Sequence, residues 1–245
     1  MKIKFLGTGA AQTKRRPTSF VINDRVLFDV GHGIVSALIE NGLDTVNIDV
    51  IVISHFHLDH AGDLPFFLYR RGEISGDKAL TLIGPKGLTD FLRKFYDVVL
   101  FDNPNGPDEK MKWFYLDNIK IIELGDGENY KETNFELNTF DVAHGGSKSC
   151  KGYIMKIDGE VIGCTGDTYL CDNLTKNLPN ADTWIIDCAH EITRPNKRHL
   201  GLDEVRKIAE QYPNKKFYCV HRKDWTPPDD LKNIFFPMDG ETIKV

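Results

Sequence analysis

Apolar and polar positions along this chain predict a repeated succession of strands followed by helices. Residues 2–6 (KIKFL), 18–23 (TSFVIN) and 25–29 (RVLFD) read as short strands rich in β-branched and aromatic residues. Between Gly31 and Asn41, the residues Ile34, Val35, Leu38 and Ile39 fall at helical spacing, and Gly42 ends the run. Residues 49–53 (DVIVI) form a continuous apolar run, the pattern of a strand covered on both faces. A helix is expected over about 63–71, a strand over 79–83, and a helix from Pro85 to about Leu100, since proline is favoured in a first turn. Residues 102–112 (DNPNGPDEKMK) are polar and turn-forming, so a loop is expected there.

The second half repeats the theme. Strands are expected at 118–123, 134–141, 152–157, 160–164, 182–187, 216–220 and 242–245, with helices around 169–177 and 202–211. Each half therefore offers a strand-rich sheet flanked by helices. The expected architecture is α/β (α+β), a four-layer αββα sandwich with the sheets face to face and the helices outside. We read residues 1–245 as a single domain of two pseudo-related halves, about 1–125 and 126–245.

Composition narrows the function classes. The chain has 245 residues, 41% hydrophobic and 27% charged, enough to bury a substantial core. The N-terminal stretch MKIKFLGTGA has no signal-peptide core, and no stretch approaches the roughly 20 apolar residues of a membrane span, so a cytoplasmic protein without a membrane partner is expected. The five cysteines (Cys150, Cys164, Cys171, Cys188, Cys219) are odd in number and form no C-x-x-C pair, which argues for reduced thiols rather than a disulfide framework or a cysteine zinc site. A net charge of −5 excludes a globally basic nucleic-acid surface. Local basic clusters remain: Lys14-Arg15-Arg16, Arg70-Arg71, Lys148 with Lys151, Arg194 with Lys197 and Arg198, and Arg222-Lys223. Several flank the histidines described next, which points to an anionic substrate.

The decisive chemistry lies in His55-Phe56-His57-Leu58-Asp59-His60, four candidate metal ligands directly after a buried strand. A chain leaving a sheet edge can turn all four side chains around one small volume, which a regular strand cannot. Imidazole and carboxylate donors suit zinc and similar metals. One such segment cannot close two sites, and three further candidates stand at other strand ends: His144 after NTFDVA, Asp167 after VIGCTG, and His221 after KFYCV.

With these motifs the chain resembles the metallo-β-lactamase superfamily from LGTG at 6–9 to its final strand. The resemblance implies the αββα sandwich, with His55, His57 and His144 on one metal, Asp59, His60 and His221 on a second, and Asp167 bridging. Asp29, in FDVG, matches the family's Asp-x-Gly element, whose carboxylate supports a ligand from behind. Within the superfamily the chain looks nearest to the branch holding the cyclic phosphodiesterase of phosphonate breakdown and tRNase Z. The shared cue is Asp187-Cys-Ala-His-Glu-Ile-Thr-Arg-Pro-Asn-Lys-Arg-His199. His190-Glu191-Ile192-Thr193 resembles the His-Glu-Ala-Thr element of tRNase Z, and the phosphonate-linked enzyme has a similar Asp-Cys-Ser-His run.

The implied activity is hydrolysis of a small or cyclic phosphodiester. Two divalent ions (zinc, with manganese or iron open) would ionise the attacking water near neutral pH, giving a metal-bound hydroxide. His199 would be the general acid that protonates the leaving oxygen, with Asp59 and Glu191 completing the catalytic set and Glu191 or His190 orienting His199. His32, in GHG, is read as structural. The alternatives are a tRNase Z-like RNA 3′-end endonuclease, a lactonase or thioesterase of the same fold, and a non-enzymatic binding module. The chain lacks the long Gly/Pro-rich arm with which tRNase Z grips RNA, so a small anionic substrate is favoured over nucleic acid. A homodimer is compatible with the branch.

Overall fold

A computed structural model describes residues 1–75, 78–99, 118–147, 149–195, 198–229 and 231–245. The expected loop at 102–112, together with Lys148 and Lys197, lies outside the described residues. Among the described residues no helix is long and apolar enough to cross a membrane.

The strands assemble into two seven-stranded sheets. The first holds β1 (Lys2–Gly7), β2 (Ser19–Ile22), β3 (Val26–Phe28), β4 (Val50–Val52), β5 (Leu80–Pro85) and β6 (Ile119–Leu124), with β14 (Thr242–Lys244) on the outer edge of β1. The second runs from β7 (Asn129–Glu132) through β8 (Phe135–Asp141), β9 (Lys151–Ile157), β10 (Glu160–Cys164), β11 (Thr183–Asp187) and β12 (Lys216–Val220) to β13 (Ile234–Phe235). Each sheet is antiparallel on one side and parallel on the other: β3 to β6 are parallel, as are β10 to β13.

The helices α1 (Ile34–Glu40), α3 (Leu64–Ser75) and α4 (Leu88–Val99) follow strands of the first sheet, and α5 (Asp172–Asn177) and α6 (Leu202–Gln211) strands of the second. A single turn, α2 (Leu58–Ala61), sits inside the histidine motif. Three apolar clusters account for the layering. Phe5, Phe20, Phe28, Tyr153 and Ile185 pack between the sheets. Val35, Leu38, Phe67 and Leu92 fill the space between the first sheet and its helices, and Trp184, Val205 and Phe217 do so on the second. Burying each such side chain contributes about 1.5–3 kcal/mol, so the four layers follow from giving every apolar face a partner. The αββα sandwich is the fold.

β7 and β13 were not expected from sequence. β7 reads NYKE, with one buried side chain, and β13 has only two residues. The closing strand β14 returns to the first sheet, so that sheet draws on both ends of the chain. All five cysteines are free.

Candidate metal centre

The site stands at the carboxyl ends of strands from both sheets, where ligands gather in open α/β architectures. β4 leads into His55–His60, β8 leads to His144, β10 to Asp167, β11 ends on Asp187, and β12 leads to His221. Local backbone favours the inward aim. His221 and Asp29 both take left-handed φ values, 57° and 54°, which are unusual for residues with a side chain. Gly31 packs so closely that a Cβ there would collide with the Asp59 carbonyl oxygen. That contact and the Val30 N–H bond to the His60 carbonyl (2.7 Å) press the histidine loop against the end of β3.

All seven ligands expected from sequence converge. His55, His57 and His144 form one group, and Asp59, His60, Asp167 and His221 a second, with the donor atoms of each within 4.8 Å of one another. Asp167 lies between the groups: its Oδ2 is 3.3 Å from His60 Nε2, 3.2 Å from His221 Nε2, 3.9 Å from His55 Nε2 and 3.8 Å from His144 Nε2. His221 Nε2 also lies 3.4 Å from Asp59 Oδ2.

A supporting layer orients the rings. Asp29 is fully buried and accepts from Ser54 N–H (2.7 Å), Ser54 Oγ–H (2.7 Å) and His60 Nδ1 (2.7 Å). His60 Nδ1 is thereby committed, and its Nε2 is buried with no hydrogen-bond partner. His144 Nδ1 is likewise committed to the Arg198 carbonyl at 2.8 Å, leaving Nε2 for the cluster. A buried imidazole whose outer nitrogen is anchored and whose inner lone pair meets only other donors fits a metal ligand. The residues present therefore fit divalent cations.

The electrostatics agree. Burial, reinforced by the neighbouring histidine charges, holds His55 well below the usual imidazole range, and burial likewise lowers His144, so both present neutral lone pairs. Burial opposes charge on His60 as well, but the Asp167 and Asp29 carboxylates outweigh it and raise that ring. Burial would raise Asp59 and Asp167. Hydrogen bonding from His221 and the charge of His60 reverse this at Asp59, and the charges of His221 and His60 do so at Asp167. The site gathers carboxylate charge around His60, which favours a cation, proton or metal, at that position.

His199 stands beside the second group, its Nδ1 2.8 Å from Asp187 Oδ2 and 3.9 Å from Asp167 Oδ2, its ring stacked 4.7 Å from that of His221. Burial opposes its charge, but Asp187 prevails and raises its pKa. Here the structure corrects the sequence reading: the carboxylate that holds His199 is Asp187, while Glu191 is exposed four residues further on. Asp187 is fully buried and fixed by the N–H groups of Thr168 (2.9 Å) and Ala189 (3.1 Å). The rule that found Asp167, the first ionisable residue after an apolar strand, also picks Asp187 after TWII. His190 is buried 6.2 Å from the His199 ring, and His32 is exposed.

A cleft of about 660 Å³ opens over these groups, lined by His57, Asp59, His144, Asp167, His199 and His221 and flanked by Arg198, Lys223, Gln12 and the turn Gly145–Ser147. Arg198 and Lys223 come from two of the basic clusters. Arg70 and Arg71 do not line it: Arg70 pairs with Asp44 at 2.6 Å, and buried Arg71 caps the carbonyls of Thr45 and Ile48. Lys151 pairs with Asp141.

Fold and donor set define a metal-dependent hydrolase of the metallo-β-lactamase fold. Within that class the chain belongs to the family described as anti-Pycsar protein Apyc1, whose model matches residues 1–238. It is 33% identical to ribonuclease Z from Metallosphaera sedula over 256 aligned positions, 90% of this chain and 88% of that enzyme. Ribonuclease Z from Agathobacter rectalis is 35% identical over 133 positions, 54% of this chain, and the match spans only 39% of that enzyme's length. Among solved structures, human short-form tRNase Z (ELAC1) superposes with a TM-score of 0.76 at 20% identity, covering 100% of this chain and 99% of that one. The metallo-β-lactamase fold protein YhfI from Bacillus subtilis gives 0.76 at 17%, covering 99% of each chain, and a diphosphatase of the PhnP family 0.75 at 17%, covering 100% and 97%.

Proposed function

We propose that the protein is a phosphodiesterase acting on a small or cyclic phosphodiester. The observation that carries this reading is the Asp187–His199 pair standing beside the donor clusters in a cleft flanked by Arg198 and Lys223. Two divalent ions, zinc by donor type, would bind at His55, His57, His144 and at Asp59, His60, His221 with Asp167 shared, and would supply Lewis acidity and a water ionised near neutral pH. The side chains supply the rest. Arg198 and Lys223 draw the phosphate monoanion into the cleft and neutralise charge that grows on its oxygens. His199, held by Asp187 through Nδ1, turns Nε2 to the substrate and delivers a proton to the departing alkoxide. Asp187 keeps the ring charged and fixed, and Asp29 fixes His60 from behind.

The test is turnover of bis-p-nitrophenyl phosphate and of 2′,3′- and 3′,5′-cyclic nucleotides by the zinc- or manganese-loaded protein. Hydrolysis of a cyclic nucleotide supports the reading, and absence of turnover on all three with either metal overturns it. A second reading, RNA 3′-end cleavage, is favoured by the 33% identity to the Metallosphaera sedula ribonuclease Z over 90% of this chain. Precursor tRNA cut at its 3′ trailer, with no cyclic nucleotide turnover, would select it.

A further inference from the structure

The segment after β12 lines two clefts. His221 and Lys223 line the one described above, while Arg222 and Trp225 line a second of about 590 Å³. Arg15, Phe235 and Phe236 complete the part of the second cleft that matters here.

Its cations have only distant counter-charge: the Asp239 carboxylate acts on Arg222 from beyond ion-pair range, and the exposed Asp229 stands on the cleft wall. Arg222 is 1% exposed, and among the described residues no carboxylate lies within ion-pair reach of it. Its Nη2 donates to the Pro237 carbonyl at 2.8 Å, its guanidinium carbon sits 5.5 Å from the Phe236 ring, and its Nε is buried without a partner. Arg15 packs beside it, donating to the Lys223 carbonyl at 2.7 Å and approaching the Arg222 carbonyl at 3.4 Å. Arg15 Nε is also buried without a partner, and its one carboxylate neighbour is Asp224 at 3.9 Å, a side chain 59% exposed. Two adjacent guanidinium groups with orphaned buried donors are costly unless an anion completes them.

We propose that this cleft binds a mononucleotide, with its phosphate on Arg15 and Arg222 and its base against Trp225 and Phe236. Guanidinium forks match phosphate oxygens. Trp225 and Phe236 meet edge to face at 5.7 Å, offering aromatic surface to a planar ring. The volume of this open cleft is within the range of small-ligand sites. Arg15 holds the Lys223 carbonyl as well, so one arginine serves this phosphate and the wall of the metal cleft.

Calorimetric titration of the metal-loaded protein with 5′-AMP and 5′-CMP, repeated after chelation, tests the site. Arg222 is too deeply buried to replace safely, so the variants are Arg15→Gln and Thr226→Glu. Thr226 is exposed on the same cleft and outside the catalytic set, and a carboxylate there repels a bound anion. A binding event that survives chelation and weakens about tenfold or more in both variants is expected, with phosphodiester turnover unchanged in Thr226→Glu. The proposal is overturned if no event survives chelation, if either variant leaves it intact, or if inorganic phosphate alone binds as tightly as both nucleotides. Because the event is independent of the metals, it stands or falls separately from the phosphodiesterase reading.

Discussion

At the scale of single residues, the sharpest consequence of the structure concerns Asp187. It both orients His199 and raises its pKa, so its removal leaves a ring that loses its proton at lower pH. A general acid works in its protonated form, and its contribution fades as pH rises through its pKa. In Asp187→Asn the alkaline limb of the kcat profile should therefore move to lower pH, while His199→Ala should lose about 10²–10⁴ in kcat and the limb with it. An unmoved limb in Asp187→Asn would remove the pair from catalysis.

His190 offers a stability test of the opposite sign. Burial first, then the charges of Lys223 and Arg194, push it down to about 4. The unfolded chain takes up that proton below about 6.5, whereas the folded chain resists it until about 4. The stability this provides is present above the unfolded value and is lost as pH falls through that window. Urea midpoints measured from pH 7 to 4.5 should fall more steeply for the natural protein than for His190→Gln, and equal slopes would refute the assignment.

At the scale of elements, the histidine loop depends on close backbone approach. In Gly31→Ala the new methyl meets the Asp59 carbonyl, a backbone atom that cannot swing aside. We expect a loss of about 1–3 kcal/mol in stability together with fewer than two ions retained per chain by elemental analysis. Full metal content in a normally stable Gly31→Ala would show that the loop tolerates displacement. Sequence patterning made the strong elements legible: the 202–211 helix shows buried Leu202, Val205, Ile208 and Ala209 at helical spacing, and the buried runs of β10, β11 and β12 leave little choice but strand. β7 was hidden because NYKE buries only Tyr130 and owes its strand form to pairing with β8. α2 was hidden inside a motif read for its donors. Four donors were legible from the His55–His60 motif itself, and His144, Asp167 and His221 because each follows an apolar strand. Asp187 meets the same pattern after TWII, but its role was not legible, because the ring it holds, His199, lies twelve residues further on. Only the fold brings His199 back onto the strand's last residue.

At the scale of the molecule, the donors join parts that are remote in sequence. His55, His57, Asp59 and His60 follow β4 of the first sheet, whereas His144, Asp167 and His221 follow strands of the second. Cations bound between them would cross-link the two sheets at one end, adding to the apolar layer that holds them together. Binding only to the folded state at 1,000 times Kd stabilises it by about 4 kcal/mol, a shift on the order of 10 °C in Tm for a chain of this size. Chelation should therefore lower Tm by roughly that amount, and zinc or manganese should restore it. Since the Asp167 and Asp29 carboxylates raise the proton affinity of His60, protons compete with a cation there, so metal uptake should release protons and weaken as pH falls. A Tm indifferent to chelation and re-addition, with no proton release on titrating metal into the chelated protein, would mean that the convergence of seven donors across the two sheets does not hold a metal.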